Sequence, residues 1–145
     1  LDLFRGLSLE DAQCILAFAE HRTFEAGTSM WQVGEPSPFM LVLLSGALQT
    51  QEPGRPSHRI EPGRTMGEMS CLTGHPRFVG LTAIEPSMAL SLGRVHLRSL
   101  AEEIPRIYLQ ILENALDILT HRARGSSIAE THLSASPRFS LDPDV

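Results

Sequence analysis

The chain has 145 residues, 42% of them apolar and 20% charged, and carries a net charge of −5. That is enough material for one globular domain with a real core, and the acidic balance without a basic stripe excludes a dedicated nucleic-acid binder, which needs a positive footprint. The longest apolar run, FMLVLL from Phe39 to Leu44, is too short to cross a bilayer, so no direct insertion into a membrane is expected.

All 12 basic residues are Arg and none is Lys. This reads as codon bias of the source genome, although Arg also suits phosphate recognition. Two cysteines, Cys14 and Cys71, make neither a CxxC pair nor a disulfide framework. With no basic-then-apolar leader at the start, a cytoplasmic setting is the plain expectation. The opening Leu1, in place of a Met, points to a piece of something longer.

In chain order, LSLEDAQCILAFAEH comes first. Ser8 is the expected N-cap, acidic residues fill the first turn, and Leu9, Ala12, Ile15, Leu16 and Ala19 recur at helical spacing. From about Arg22 to Leu92 the sequence breaks into short β-leaning runs punctuated by Gly27, Gly34, Gly46, Gly54, Gly63 and Gly67 and by Pro86. About eight short strands with turn signals at this spacing predict a sandwich or rolled barrel. Within them EPGRPS (Glu52 to Ser57) reads as a hairpin loop, and Trp31 as a strand residue packed on the roll.

Helical spacing returns at Val95. RVHLRSLAEEIP predicts a short helix stopped near Pro105, and IYLQILENALDILTHRAR a second one with Tyr108, Ile111, Leu112, Ala115, Leu116, Ile118 and Leu119 on a broad apolar face. Positions 104, 108, 111, 115 and 118 alternate by four and three, as a dimer seam would. The same face would equally serve to cover the β-roll of its own chain. Gly125 is the expected helix stop. The domain organisation is therefore 1–124 as one unit and 125–145, rich in Ser and Pro, as a poorly ordered tail or linker.

The chemistry concentrates in MGEMSCLTGHPRFVG. A Gly before a short helical turn lets the backbone approach a ligand and leaves N–H groups without helical partners. Arg77 can give a charge-assisted, bidentate contact to a phosphate. Glu68 would repel that phosphate at close range but accept hydrogen bonds from a sugar hydroxyl beside it. A ribose phosphate satisfies both demands; two solvated charges in a loop are the other reading of the same residues. Cys71 and His75, four apart, lack an orienting third group for nucleophilic catalysis, and the histidines form no HxxxH or HxH pair for a metal. No enzyme and no metal site is expected.

Those residues also carry a resemblance. MGEMSCLTGHPRFVG is similar to the phosphate-binding cassette of the cyclic-nucleotide-binding domains, with Gly67, Glu68, Met69, Ser70, Pro76 and Arg77 at matching spacing. FEAGTSMWQVGEPSPFMLVLLSGALQT resembles the first strands of that family, LFRGLSLED its entry helix and LAEEIPRIYLQILENAL its exit helices, so that the likeness spans about Leu3 to Arg124. The resemblance implies a mainly β jelly roll of about eight strands, with an N-terminal helix and two C-terminal helices. It implies Glu68 on the ribose 2′-hydroxyl, Arg77 on the cyclic phosphate, and ligand contacts from Gly67, Met69, Ser70, Phe78 and Val79. The effector would be cAMP or cGMP.

The departures fall after the arginine. Where the family places small residues that often carry a hydroxyl, this chain has Phe78, Val79 and Gly80, and Thr82 is the nearest substitute hydroxyl. Ser37 and Pro38 replace the usual glycine and acidic residue, a change read as affecting a turn rather than the pocket. Two functions follow. One is a regulatory cyclic-nucleotide-binding module whose C-terminal helices pass a signal on, inside a larger parent such as a transporter or enzyme, on the cytosolic face if that parent is in a membrane. The other is a degenerate domain that binds no nucleotide and acts as an interaction scaffold, or as a homodimer through the Tyr108–Leu119 helix.

Overall fold

In the computed structural model, which describes residues 2–124, a 3-10 turn (Asp2–Phe4) and helix α1 (Leu9–Leu16) lead into eight strands. These are β1 (Glu20–Phe24), β2 (Ser29–Trp31), β3 (Phe39–Ser45), β4 (Leu48–Gln51), β5 (Arg59–Ile60), β6 (Thr65–Met66), β7 (Gly80–Ala83) and β8 (Ser87–Gly93). Helix α2 (Glu68–Thr73) lies between β6 and β7, and α3 (Arg94–Glu103) and α4 (Pro105–Arg124) follow β8. The tail read at 125–145, with the helix stop at Gly125, lies outside the described residues.

The strands form two antiparallel four-stranded sheets, ordered β1-β8-β3-β6 and β2-β7-β4-β5. This is the expected β-roll, and the EPGRPS loop is the β4–β5 connection. Strand β3 shows why the roll needs helices. Its side chains alternate by period two: Leu41 and Leu43 enter the core inside the roll with Trp31, Leu48 and Leu81. Met40 and Val42 enter a second core with Leu97, Leu100, Ile107 and Ile111 from the helices. A strand covered on both faces reads as a continuous apolar run, which accounts for Phe39 to Leu43 of FMLVLL, while Leu44 stays exposed.

Helix α1 starts as expected. Asp11 N–H donates to Ser8 Oγ at 3.1 Å and Ser8 N–H returns to Asp11 Oδ2 at 3.2 Å, a reciprocal cap. Its apolar face differs from expectation. Ile15 joins the core and Ala19, just past the helix, packs against it, while Leu9 and Leu16 stay 78% and 45% exposed. The reason is a polar tie on the inward side: Arg106 of α4 donates to both oxygens of Asp11, at 2.8 and 2.9 Å. Those hydrogen bonds hold the Asp11 carboxyl well below the usual carboxylate range.

Helix α4 opens on Pro105, whose missing N–H costs nothing at a first helical position. Ile107, Ile111 and Ala115 are buried, with Ile104, Tyr108, Leu112 and Ile118 packed around them. Positions 111 and 115, read as a candidate seam, are thus committed to the core of their own domain. Leu116 and Leu119, assigned to the same face, instead point outward with Leu109. Buried Asn114 donates to the carbonyls of Leu3 and Arg5 at 2.8 and 2.7 Å, fixing the start of the domain to α4. Among the described residues, no helix is long and apolar enough to cross a membrane.

Candidate functional site

Because β6 belongs to one sheet and β7 to the other, residues 67–79 cross between the layers at the edge of the roll. The crossing begins at Gly67, whose φ of +78° lies in the left-handed region. A Cβ there would collide with Arg77 Nη1 and stand 3.0 Å from Trp31 Cη2. Only glycine meets both the conformational and the steric demand. The six-residue α2 then ends at Gly74, and its first N–H groups have no partner within the helix.

The turn preceding β3 braces this segment. Arg77 N–H donates to Glu35 O at 2.8 Å and Gly34 N–H to Arg77 O at 2.9 Å. The Ser37 hydroxyl reaches Ser70 O at 3.0 Å and also His75 O, touching both ends of the cassette. Position 37 therefore bears on the site, contrary to its reading as a turn residue only: the turn and the cassette share hydrogen bonds.

The Arg77 side chain is buried. Nη2 donates to Phe39 O at 2.6 Å, and Nη1 lies 3.3 Å from both Gly67 O and Ser70 Oγ. Its guanidinium carbon sits 3.7 Å from the ring centre of Trp31, a desolvated cation–π contact. Burial pushes its pKa down from the ordinary arginine range, yet a guanidinium stays charged in proteins. Among the described residues no carboxylate is bonded to it, and its Nε donor has no hydrogen-bond partner.

Glu68, the first residue of α2, is 1% exposed. Arg122 Nη2, in the last turn of α4, lies 3.0 Å from Glu68 Oε1. The pair lacks hydrogen-bond geometry, so that buried oxygen accepts none. Among the described residues three buried side-chain atoms are left without a hydrogen-bond partner, and two of them are Glu68 Oε1 and Arg77 Nε. Such groups are costly in a folded protein and call for an explanation.

Both residues line one cavity of about 140 Å³. All the residues expected to touch a ligand line it too: Gly67, Met69, Ser70, Phe78 and Val79 alongside Glu68 and Arg77. Phe78 stands at the rim, 59% exposed, and does not fill the interior. Thr82, the suggested substitute hydroxyl, donates to Gln51 Oε1 at 2.9 Å and faces a neighbouring depression instead. Cys71 is fully buried, with its thiol pushed up to about 11 by desolvation, and His75 lies beyond the end of α2 on the surface. The thiol is thus protonated and inaccessible at neutral pH.

Two contributors escaped sequence reasoning. Trp31 does pack in the roll, but its indole also carries Arg77, and its N–H donates to Val79 O at 2.9 Å. Its being the single Trp of the chain was the available signal. Arg122 carried none, because a basic residue in a last helical turn is ordinarily explained by the helix dipole.

Residues 21–103, more than half of the chain, match the family described as cyclic nucleotide-binding domain. A cyclic nucleotide-gated potassium channel of Mesorhizobium japonicum is 28% identical over 96 residues, 66% of this chain and 26% of the channel. The chain thus spans about a quarter of that relative's length. Among solved structures, the catabolite activator protein of Thermus thermophilus superposes with a TM-score of 0.75 at 24% identity, over 92% of this chain and 63% of that one. A cyclic nucleotide-binding domain from Methylobacillus flagellatus gives 0.75 at 24% identity, over 84% and 71%. At such identities the structural likeness shows the fold alone. The sequence match carries the rest: this chain belongs to the cyclic nucleotide-binding domain family.

Proposed function

We propose that the domain is a regulatory sensor that takes cAMP or cGMP in the cavity beside α2. The observation that supports this reading is that Glu68 and Arg77, each with a buried side-chain atom lacking a hydrogen-bond partner among the described residues, line one cavity. A ribose hydroxyl is a donor and supplies what the carboxylate lacks; a cyclic phosphate is an anionic acceptor and supplies what the guanidinium lacks. The N–H groups of Met69 and Ser70 add donors on the phosphate side.

The signal would leave through α4. A ribose hydroxyl on Glu68 changes the surroundings of the same carboxylate that attracts Arg122 in the last turn of that helix. Ligand and helix position are then linked, because a ligand shifts an equilibrium only by its differential affinity for the two states. The regulated activity would belong to a larger cytoplasmic or membrane-anchored parent, such as a transporter or enzyme. The outward Leu109, Leu116 and Leu119 favour a second reading, an interaction scaffold or homodimer built on α4.

Calorimetric titration separates the two. Wild-type domain is expected to release saturable heat with cAMP or cGMP, and Arg77→Ala to weaken binding at least about 30-fold, the loss typical of truncating one member of a buried charged pair. Absence of heat and of thermal stabilisation at millimolar nucleotide would leave the scaffold reading.

A further inference from the structure

A cyclic nucleotide with its phosphate on Arg77 and its sugar on Glu68, both buried, would turn its base toward the mouth of the cavity. Two of the polar side chains there are already hydrogen-bonded, Ser70 Oγ with Arg77 Nη1 and the Trp31 indole N–H with Val79 O, while Arg122 is drawn by charge to Glu68. Thr82 is turned to Gln51. What the mouth offers a base is an aromatic face: the Phe78 ring, mostly exposed, with the His75 ring 6.2 Å away at 47° as its aromatic neighbour. A large apolar side chain left in water beside a binding cavity gains by being covered, and a base presents a π-face of suitable size.

Resting on the cyclic-nucleotide reading above, we propose that Phe78 is the specificity-determining residue of this site and holds the base by stacking, so that the domain selects purine cyclic nucleotides with little discrimination between adenine and guanine. Edge hydrogen bonds are what tell adenine from guanine, because a misplaced donor or acceptor is left unpaired. Stacking is tolerant of base identity and stronger for the larger ring system.

The test is a binding matrix of wild type, Phe78→Ala and Phe78→Tyr against cAMP, cGMP and the cytidine cyclic monophosphate, with Arg77→Ala as control. Wild type is expected to bind cAMP and cGMP within about threefold of each other and the cytidine nucleotide more weakly. Phe78→Ala should weaken both purine nucleotides about tenfold, Phe78→Tyr should retain them, and neither should shift the melting temperature of the ligand-free domain, since the ring is exposed. Wild-type binding with unchanged affinity in Phe78→Ala, or a wild-type preference above about 30-fold between cAMP and cGMP, overturns the stacking proposal alone while loss of binding in Arg77→Ala upholds the site. No binding of any nucleotide by the wild type overturns both.

Discussion

Asp11 and Glu68 are both buried carboxylates with arginines at hand, and the fold treats them in opposite ways. Arg106 donates to both oxygens of Asp11 at 2.8 and 2.9 Å, and the Ser8 N–H adds a third bond. At Glu68 the neighbouring Arg122 comes within 3.0 Å of Oε1 without a hydrogen bond, and Arg77 directs its Nη1 and Nη2 donors to the Phe39 and Gly67 carbonyls and Ser70 Oγ. The contrast separates a tie from a site. Asp11 is satisfied by the chain itself and fastens α1 to α4, whereas Glu68 Oε1 is left without a hydrogen-bond donor among the described residues, which supports its proposed role as a site.

Neutralising each carboxylate in turn should separate the two positions. Glu68→Gln is expected to lower cyclic-nucleotide affinity about tenfold, the worth of one charge-assisted hydrogen bond. It should leave the melting temperature of the free domain unchanged or higher, since an incompletely paired buried charge is removed. Asp11→Asn should do the reverse, with calorimetric affinity kept and the melting temperature lowered. Acid sharpens the same comparison. The Asp11 pKa is depressed in the folded state, so its stabilisation is complete above the ordinary carboxylate pKa of about 3.9 and is lost as pH falls below it. A denaturation series from pH 5 downward should show a shallower loss in Asp11→Asn than in wild type.

A smaller effect is expected at Trp31, which supports Arg77 rather than contacting the ligand's charge directly. Trp31→Leu should weaken nucleotide binding about fivefold, and Trp31→Phe about twofold, in keeping with the loss of about 1 kcal/mol of the cation–π support under Arg77. Equal affinity in Trp31→Leu would say that the carbonyls of Phe39 and Gly67 suffice to hold the guanidinium.

What the sequence made legible was local. Ser8 announces a helix start through its own neighbours, the Gly67-to-Arg77 spacing sits within one crossing segment, and Pro105 divides two helices. Illegible were matters settled by distant packing. Leu9 and Leu16 look apolar enough for a core, but the inward side of α1 is fixed by Asp11 reaching Arg106, a partner far along the chain. Arg122 meets Glu68 only because α4 crosses over α2, and no local pattern encodes that crossing. Thr82 shares its strand with Gly80 and Leu81 of the cavity wall, yet its hydroxyl is taken by Gln51 across the β4–β7 pairing. The orientation of Phe78 likewise follows from the backbone path after Arg77, which is held by the Gly34–Glu35 turn.

The proposed site requires the Arg77 Nε donor, which has no hydrogen-bond partner among the described residues, to receive the cyclic phosphate. It is tested most directly by following the Arg77 Nε–H resonance of the isotopically labelled domain during titration with cAMP and cGMP. The account predicts a shift that saturates at the calorimetric stoichiometry and a signal absent from Arg77→Lys. Saturable nucleotide binding with the Arg77 Nε–H resonance unmoved would contradict it.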